Sequence, residues 1–352
     1  MSQIYNYIPH EKILSVHDYN GPNNIFKFNY VKFRTDKSPE HNFYTPIGII
    51  DDKIISTTNK QFSFLPARLN HFLGDAYGRA IQHTYTSLLN NSSCILIEEP
   101  VFHFFDYESI SGTGHSYDLM FYLLYIYKKA NSTSKLLVVN SDNTYYNSSL
   151  SLIKKYYNVD YIYIDLGQNY LFKDFSCVQT YQNILFHEVK AFINETLIKP
   201  IINKYEFNNV PFFKNAYKLK VSNISNINRL NSTHDISDSV VKYFKDNSFI
   251  NLDTVDEEYR IYLLNKADNI IISWGSIFYI NIDYYITETI NKNITIIFHP
   301  NMLPELSFLN VQGTEIIQNM PSWATSEYYR DQVYTTLQFK GKILCMDTIT
   351  HL

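Results

Sequence analysis

At 352 residues the chain is longer than one hydrophobic core comfortably organises, and it suits two lobes. Its 30 Lys and Arg against 34 Asp and Glu leave a net charge of −4, which argues against a polyanion-binding surface and so against a nucleic-acid partner. Hydrophobic content of 45% with 18% charge is ordinary for a globular protein, and no window reaches the roughly 18–20 apolar residues that a membrane span needs.

The chain carries 31 Tyr and 24 Phe but only six Arg, a bias towards Asn, Ile, Lys, Tyr and Phe that AT-rich coding produces. Most of the tyrosines read as half-buried packing residues. Cys94, Cys177 and Cys345 have no short spacing for a metal or a disulfide, which suits a reducing, cytoplasmic setting.

Residues 1–100 read as an irregular, strand-rich lead-in. Asn24 to Arg34 alternates apolar and polar residues as a half-buried strand does, and Asn20-Gly21-Pro22 is a turn signal. From Cys94 the rhythm changes. Ser116 to Lys129 is apolar all round, which predicts a helix buried on most sides. Lys135 to Asn140 predicts a strand, Asn147 caps a helix carrying Leu150, Ile153 and Tyr157, and Asp160 to Asp165 predicts a further strand. A long helix from about Tyr181 to Lys199 ends at Pro200, and Phe207 to Pro211 is the best linker.

Beyond the linker, strands at Tyr217 to Ser222, Ser248 to Leu252, Asn269 to Ile272 and Ile294 to Phe298 alternate with helices. The helices lie at Ser237 to Asp246, after a capping box at Thr254-Val255-Asp256-Glu257, and from about Ser276. This alternation predicts an α/β chain whose parallel sheet is covered on both faces. The expected division is an N-terminal lobe over 1–206, a C-terminal Rossmann-like lobe over 207–320, and a C-terminal helix and tail over 321–352 packing back on them.

Ligands of open parallel sheets sit beyond the carboxyl ends of the strands. Ser273-Trp274-Gly275-Ser276 lies at such an end and opens the next helix, so its small residues let backbone approach a phosphate. The same residues also fit a plain tight turn. Lys218, Lys220 and Arg229 flank the lobe's first strand, either to neutralise a diphosphate or as solvated surface cations, and His299 ends the strand after Ser273. In the first lobe, His115 and Asp118 begin the buried helix on one side of it. They form either an acid–base pair or a helix cap with a structural histidine. The sequence shows no metal-binding spacing, no P-loop and no Gly-x-Gly-x-x-Gly fingerprint.

The order of these elements resembles the family-61 glycosyltransferases. Gly114-His115 with Asp118 looks like that family's Gly-His followed three residues later by Asp at the head of an apolar helix. The stretch Ser273-Trp274-Gly275-Ser276-Ile277, with Asn281 beyond, looks like its strand ending in His-Gly-Ala-Gly-Leu-x-Asn. The likeness spans roughly residues 100–300 and is one of order and spacing. Trp274 stands where the family usually has His, and His299 stands near a position where it often has Glu.

The resemblance implies a GT-B enzyme of two Rossmann-like lobes with a cleft between them. It implies an inverting, metal-independent transfer from a nucleotide-diphosphate sugar, the donor substrate, to a glycan acceptor, with no other cofactor. His115, oriented by Asp118, would be the base. Lys218, Lys220, Arg229, Ser273, Trp274, Gly275, Ser276 and His299 would hold the donor, with Trp274 able to stack a base or sugar. The alternative is a catalytically inactive glycan- or nucleotide-binding protein, or a structural protein, on the same fold.

Overall fold

The computed structural model describes residues 11–18, 21–37, 44–50, 53–56, 63–64, 76–90, 93–105, 110, 113–179, 186–220, 235–275, 278–299, 309–316, 335–346 and 348–349. The chain divides into two compact units, Met1–Val189 and Lys190–Leu352.

The first unit opens with β1 (Glu11–Asp18), β2 (Gly21–Lys37), β3 (Tyr44–Ile50), β4 (Lys53–Ser56) and β5 (Ser63–Phe64), each antiparallel to the one before. Helix α1 (Ala76–Asn90) follows, then β6 (Ile95–Ile97), β7 (Val101–His103), α2 (Thr113–Lys129) and β8 (Lys135–Val139). Helix α3 (Thr144–Tyr157), β9 (Tyr161–Ile164) and β10 (Asn169–Gln179) complete the unit. Its ten strands make one mixed sheet, in which β10 pairs antiparallel with β2 and parallel with β6 and β7, and β8 and β9 extend the parallel side.

The expected strand-rich lead-in is therefore part of the main sheet. Its long β2 supplies Val31 and Phe33 to a core shared with Phe172 and Phe175 of β10. Helix α2 buries every residue from Met120 to Tyr127, as an all-round apolar helix should. Helix α3 buries Leu150, Ile153 and Tyr157, each worth roughly 1.5–3 kcal/mol of transfer from water. Its cap is Asn143 and not Asn147: the Asn143 Oδ1 accepts the Tyr145 and Tyr146 N–H groups at 3.0 and 3.3 Å.

Helix α4 (Phe186–Ile193) runs through a π-helical turn, Asn194–Ile198, into α5 (Lys199–Phe207). Pro200 thus begins a helix where the sequence predicted an end. Proline lacks an N–H and crowds the carbonyl four residues earlier, and the wider turn just before it relieves both demands. Tyr205 of α5 stacks on Tyr259 and Tyr262 of the second unit's own helix α7, with ring centroids 5.7 and 5.1 Å apart.

The second unit continues with β11 (Asn215–Lys218), β12 (Asp235–Ile236), α6 (Asp238–Asp246), β13 (Phe249–Asn251), α7 (Glu257–Lys266) and β14 (Asn269–Ser273). A π-helical segment (Tyr279–Tyr284), β15 (Asn293–Phe298), β16 (Leu309–Ile316), β17 (Thr335–Cys345) and β18 (Thr348–Ile349) end it. Six strands form a sheet in the order β13-β11-β14-β15-β17-β16, and every neighbouring pair is parallel. A short parallel pair, β12 and β18, stands apart from it.

The aliphatic runs of β14 and β15 are buried on both faces, as a covered parallel sheet requires. Helix α6 packs Val240 and Phe244 on Leu219, Ile271 and Ile297, one face of the sheet. Helix α7 is capped by Asp256, whose Oδ1 accepts the Tyr259 N–H at 2.8 Å, and not by Thr254. Residues 321–352 were expected to hold a helix. Their described part is strand, because β17 enters the sheet between β15 and β16. The molecule is thus a mixed α/β protein with seven α-helices among the described residues, none long and apolar enough to cross a membrane.

Candidate functional site

The second sheet reverses its strand order twice, once at β11 and once where β17 enters between β15 and β16, and the first of these concerns the predicted residues. From β11 the chain steps to β13 on one side, then returns past β11 to β14 on the other. Right-handed crossovers put the two connecting helices on opposite faces, and the carboxyl ends of β11 and β14 are left flanking a crevice. Lys220 and Gly275 follow those two ends.

The two residues touch. Gly275 has φ +103°, a conformation open to glycine, and a Cβ added there would lie 2.7 Å from Lys220 Nζ. The lysine ammonium therefore rests against bare backbone at the reversal. Ser273 fixes the approach: its buried Oγ accepts the Lys220 N–H at 2.9 Å, tying the end of β11 to the end of β14 across one strand spacing. The Gly275 carbonyl accepts the Phe278 N–H at 2.8 Å, and the Trp274 N–H donates to Ile297 at 2.9 Å.

Lys218 and Trp274 occupy other settings. Lys218 lies on the opposite strand face from Tyr217 and Leu219, is almost wholly buried, and forms an ion pair with Asp253 just beyond β13. Burial, with the Arg260 charge second, pushes its pKa down, while Asp253 opposes the shift. Trp274 is 2% exposed, stacked on Phe298 with centroids 4.7 Å apart and tilted on Phe278 at 4.9 Å. Its ring faces pack into the lobe. His299 directly follows β15 and is half-buried.

Beside Lys218 lies a charged cluster that sequence reasoning missed. Arg260 of α7, itself buried, donates to Glu257 at 3.1 Å and to the Leu252 carbonyl at 3.0 Å, and the Tyr285 hydroxyl donates to Glu257 at 2.5 Å. The available signal was Asp253, directly after the predicted strand Ser248 to Leu252, a position where parallel sheets gather ligand contacts.

Ser276 and Arg229 lie outside the described residues. His115 and Asp118 fall within the first half of α2, as the sequence predicted, and their side chains lie outside the described set. Among the described residues no group of three His, Cys, Asp or Glu side chains could hold a metal ion. The structure thus brings Lys220, Ser273 and Gly275 together, and sets Lys218 and Trp274 into the surrounding framework. No protein-family model matches the chain, and no curated protein matches it.

Proposed function

We propose that the protein is an inverting, metal-independent glycosyltransferase that moves a sugar from a nucleotide-diphosphate sugar to a glycan acceptor. The observation that carries the donor half of this reading is the Lys220 ammonium against Gly275 at the strand-order reversal. A diphosphate laid there meets a cation beside glycine backbone at the ends of parallel strands, the setting in which phosphates bind parallel α/β sheets. Breaking the bond from sugar to diphosphate leaves negative charge on the departing phosphate, and Lys220 offsets that charge. The acceptor hydroxyl attacks the anomeric carbon from the opposite side, and His115, oriented by Asp118, takes its proton.

The second reading, nucleotide binding without transfer, draws on Trp274. An indole buried between Phe298 and Phe278 replaces the histidine of the resembling family, so a polar group is exchanged for packing.

Calorimetric titration of nucleoside diphosphates and nucleotide sugars, with and without EDTA, tests the donor site. The expected result is selective, chelator-insensitive binding that Lys220→Met weakens about tenfold or more, the scale of one charge-assisted contact. Transfer or slow donor hydrolysis that His115→Ala abolishes would separate the enzyme from the binding protein. Absence of any nucleotide binding by the folded chain would remove both readings.

A further inference from the structure

Asp253 has no role in the reading above, and its surroundings are built. Its turn, Leu252–Thr254, follows β13 and is held on several sides. Asn251 Oδ1 accepts the Asp253 N–H at 2.9 Å, and Thr254 Oγ1 donates to the Asn251 carbonyl at 2.7 Å. Arg260 donates to the carbonyls of Leu252 at 3.0 Å and Val255 at 3.5 Å. The carboxylate is oriented as well, because Lys218 Nζ, rising from the neighbouring β11, donates to Asp253 Oδ1. Yet 45% of the Asp253 side chain stays exposed, while the Lys218 side chain keeps 2%. A rigid turn and a buried cation thus present a partly exposed carboxylate at the carboxyl edge of the sheet.

The placement of that carboxylate relates to Lys220 and Gly275. Strands β13, β11 and β14 are adjacent in this order, so the residues following them, Asp253, Lys220 and Gly275, stand side by side along one edge. Neighbouring strands are about 4.8 Å apart, which sets Asp253 roughly one strand away from the Lys220 contact, on its β13 side. In doubly wound sheets the phosphates lie at the reversal, and an acidic residue at the end of the strand beside the first one accepts hydrogen bonds from ribose hydroxyls. An ionised carboxylate accepts from both hydroxyls of a diol and donates to nothing, so it selects for their presence.

We infer that Asp253 is the ribose-reading residue of this lobe, and that its ligand is a ribonucleoside diphosphate whose 2′- and 3′-hydroxyls donate to the Asp253 carboxylate. The inference rests on the reading of Lys220 and Gly275 as the diphosphate site. Lys218 is a positioning residue in it, fixing one carboxylate oxygen. The competing account is that Asp253 only neutralises Lys218. That role is indifferent to the hydroxyls of any ligand.

The test is titration calorimetry of the full chain with ADP, GDP, UDP and CDP, each against its 2′-deoxy counterpart. The expected result is that the ribonucleotide which binds does so about tenfold more tightly than its deoxy form, the scale of one hydrogen bond to a charged acceptor. Asp253→Asn should collapse this preference by weakening the ribonucleotide more than its 2′-deoxy form, which keeps only the 3′-hydroxyl contact, while Lys220→Met should weaken both forms equally. Equal binding of the two forms by the unaltered protein overturns the inference and leaves the diphosphate reading standing, and this comparison needs no variant to fold. A preference that survives Asp253→Asn overturns it as well. If no nucleoside diphosphate binds, the diphosphate reading falls and the inference falls with it.

Discussion

Each sheet buries polar side chains, and His103 in the first differs from a group of three in the second in how burial is met. In the first unit, His103 sits within the aromatic core at 4% exposure, against Phe105 with ring centroids 4.5 Å apart and near Phe33 and Phe175 at 5.7 Å, and its Nε2 has no hydrogen-bond partner. In the second unit, Lys218, Ser273 and Arg260 are as deeply placed, but each is bonded and each stands at or beyond a carboxyl strand end. A parallel sheet has one edge where all strands finish, so polar groups can collect there and serve a ligand. His103 also ends a strand, β7, between the parallel strands β8 and β10, yet its Nε2 lacks such a bond and carries an unrelieved burial cost.

The largest expected effect sharpens this contrast through pH. Burial lowers the His103 pKa from 6.5 to about 3. The unfolded chain then takes up the proton first, so stability is intact at pH 7 and falls as pH drops from about 6.5 towards 3. Between pH 7 and pH 4 this single group removes about 3 kcal/mol, on the scale of 1.36 kcal/mol per unit. Hydrogen exchange of the β7 and β8 amides should show the loss in the unaltered protein and not in His103→Phe. If both lose protection alike, the contrast between the sheets is broken.

Gly275→Ala comes next, at about 1–2 kcal/mol, because alanine is strained at φ +103° and its Cβ displaces the Lys220 ammonium. Thermal unfolding should register the strain, and nucleotide titration should register the displaced cation. Asn143→Ala should cost the first unit about 1 kcal/mol in chemical denaturation, the value of one N-cap, and leave nucleotide binding unchanged. The smallest change expected is Lys218→Met, within about 1 kcal/mol of neutral. Burial already opposes its charge, so losing the ion pair and losing the desolvation cost nearly cancel. A large loss of stability in that variant would show that the paired charges, and not the apolar packing around them, hold the second edge together.

The aliphatic cores of β8, β14 and β15 were legible in the sequence because an isoleucine- or valine-rich run has few other uses. The caps were not. Asn143 and Asn147 offer the same chemistry four residues apart, and the choice rests on which one the preceding turn extends, with Asn143 Nδ2 reaching the Ile110 carbonyl at 2.7 Å. Strand β10 was invisible because Lys173 and Asp174 interrupt its apolar pattern. Asp174 meets Lys27 on β2, a partner that no local reading supplies. The same limit governs the site: Ser273 and Gly275 could be singled out by their place after a strand, but Asp253 gains meaning only once β13 is known to lie beside β11.

The position of β17 has a consequence for how the chain is made. Strand β16 leaves the ribosome before β17, yet among the described residues β17 is its one neighbour in the sheet. At roughly 5–20 residues per second, β16 waits on the order of seconds for residues 335–345 to emerge. During that interval β15 also offers an unpaired edge to any passing strand. Assembly of this sheet is therefore delayed at one border, and that border is where an incomplete chain would expose unpaired strand edges.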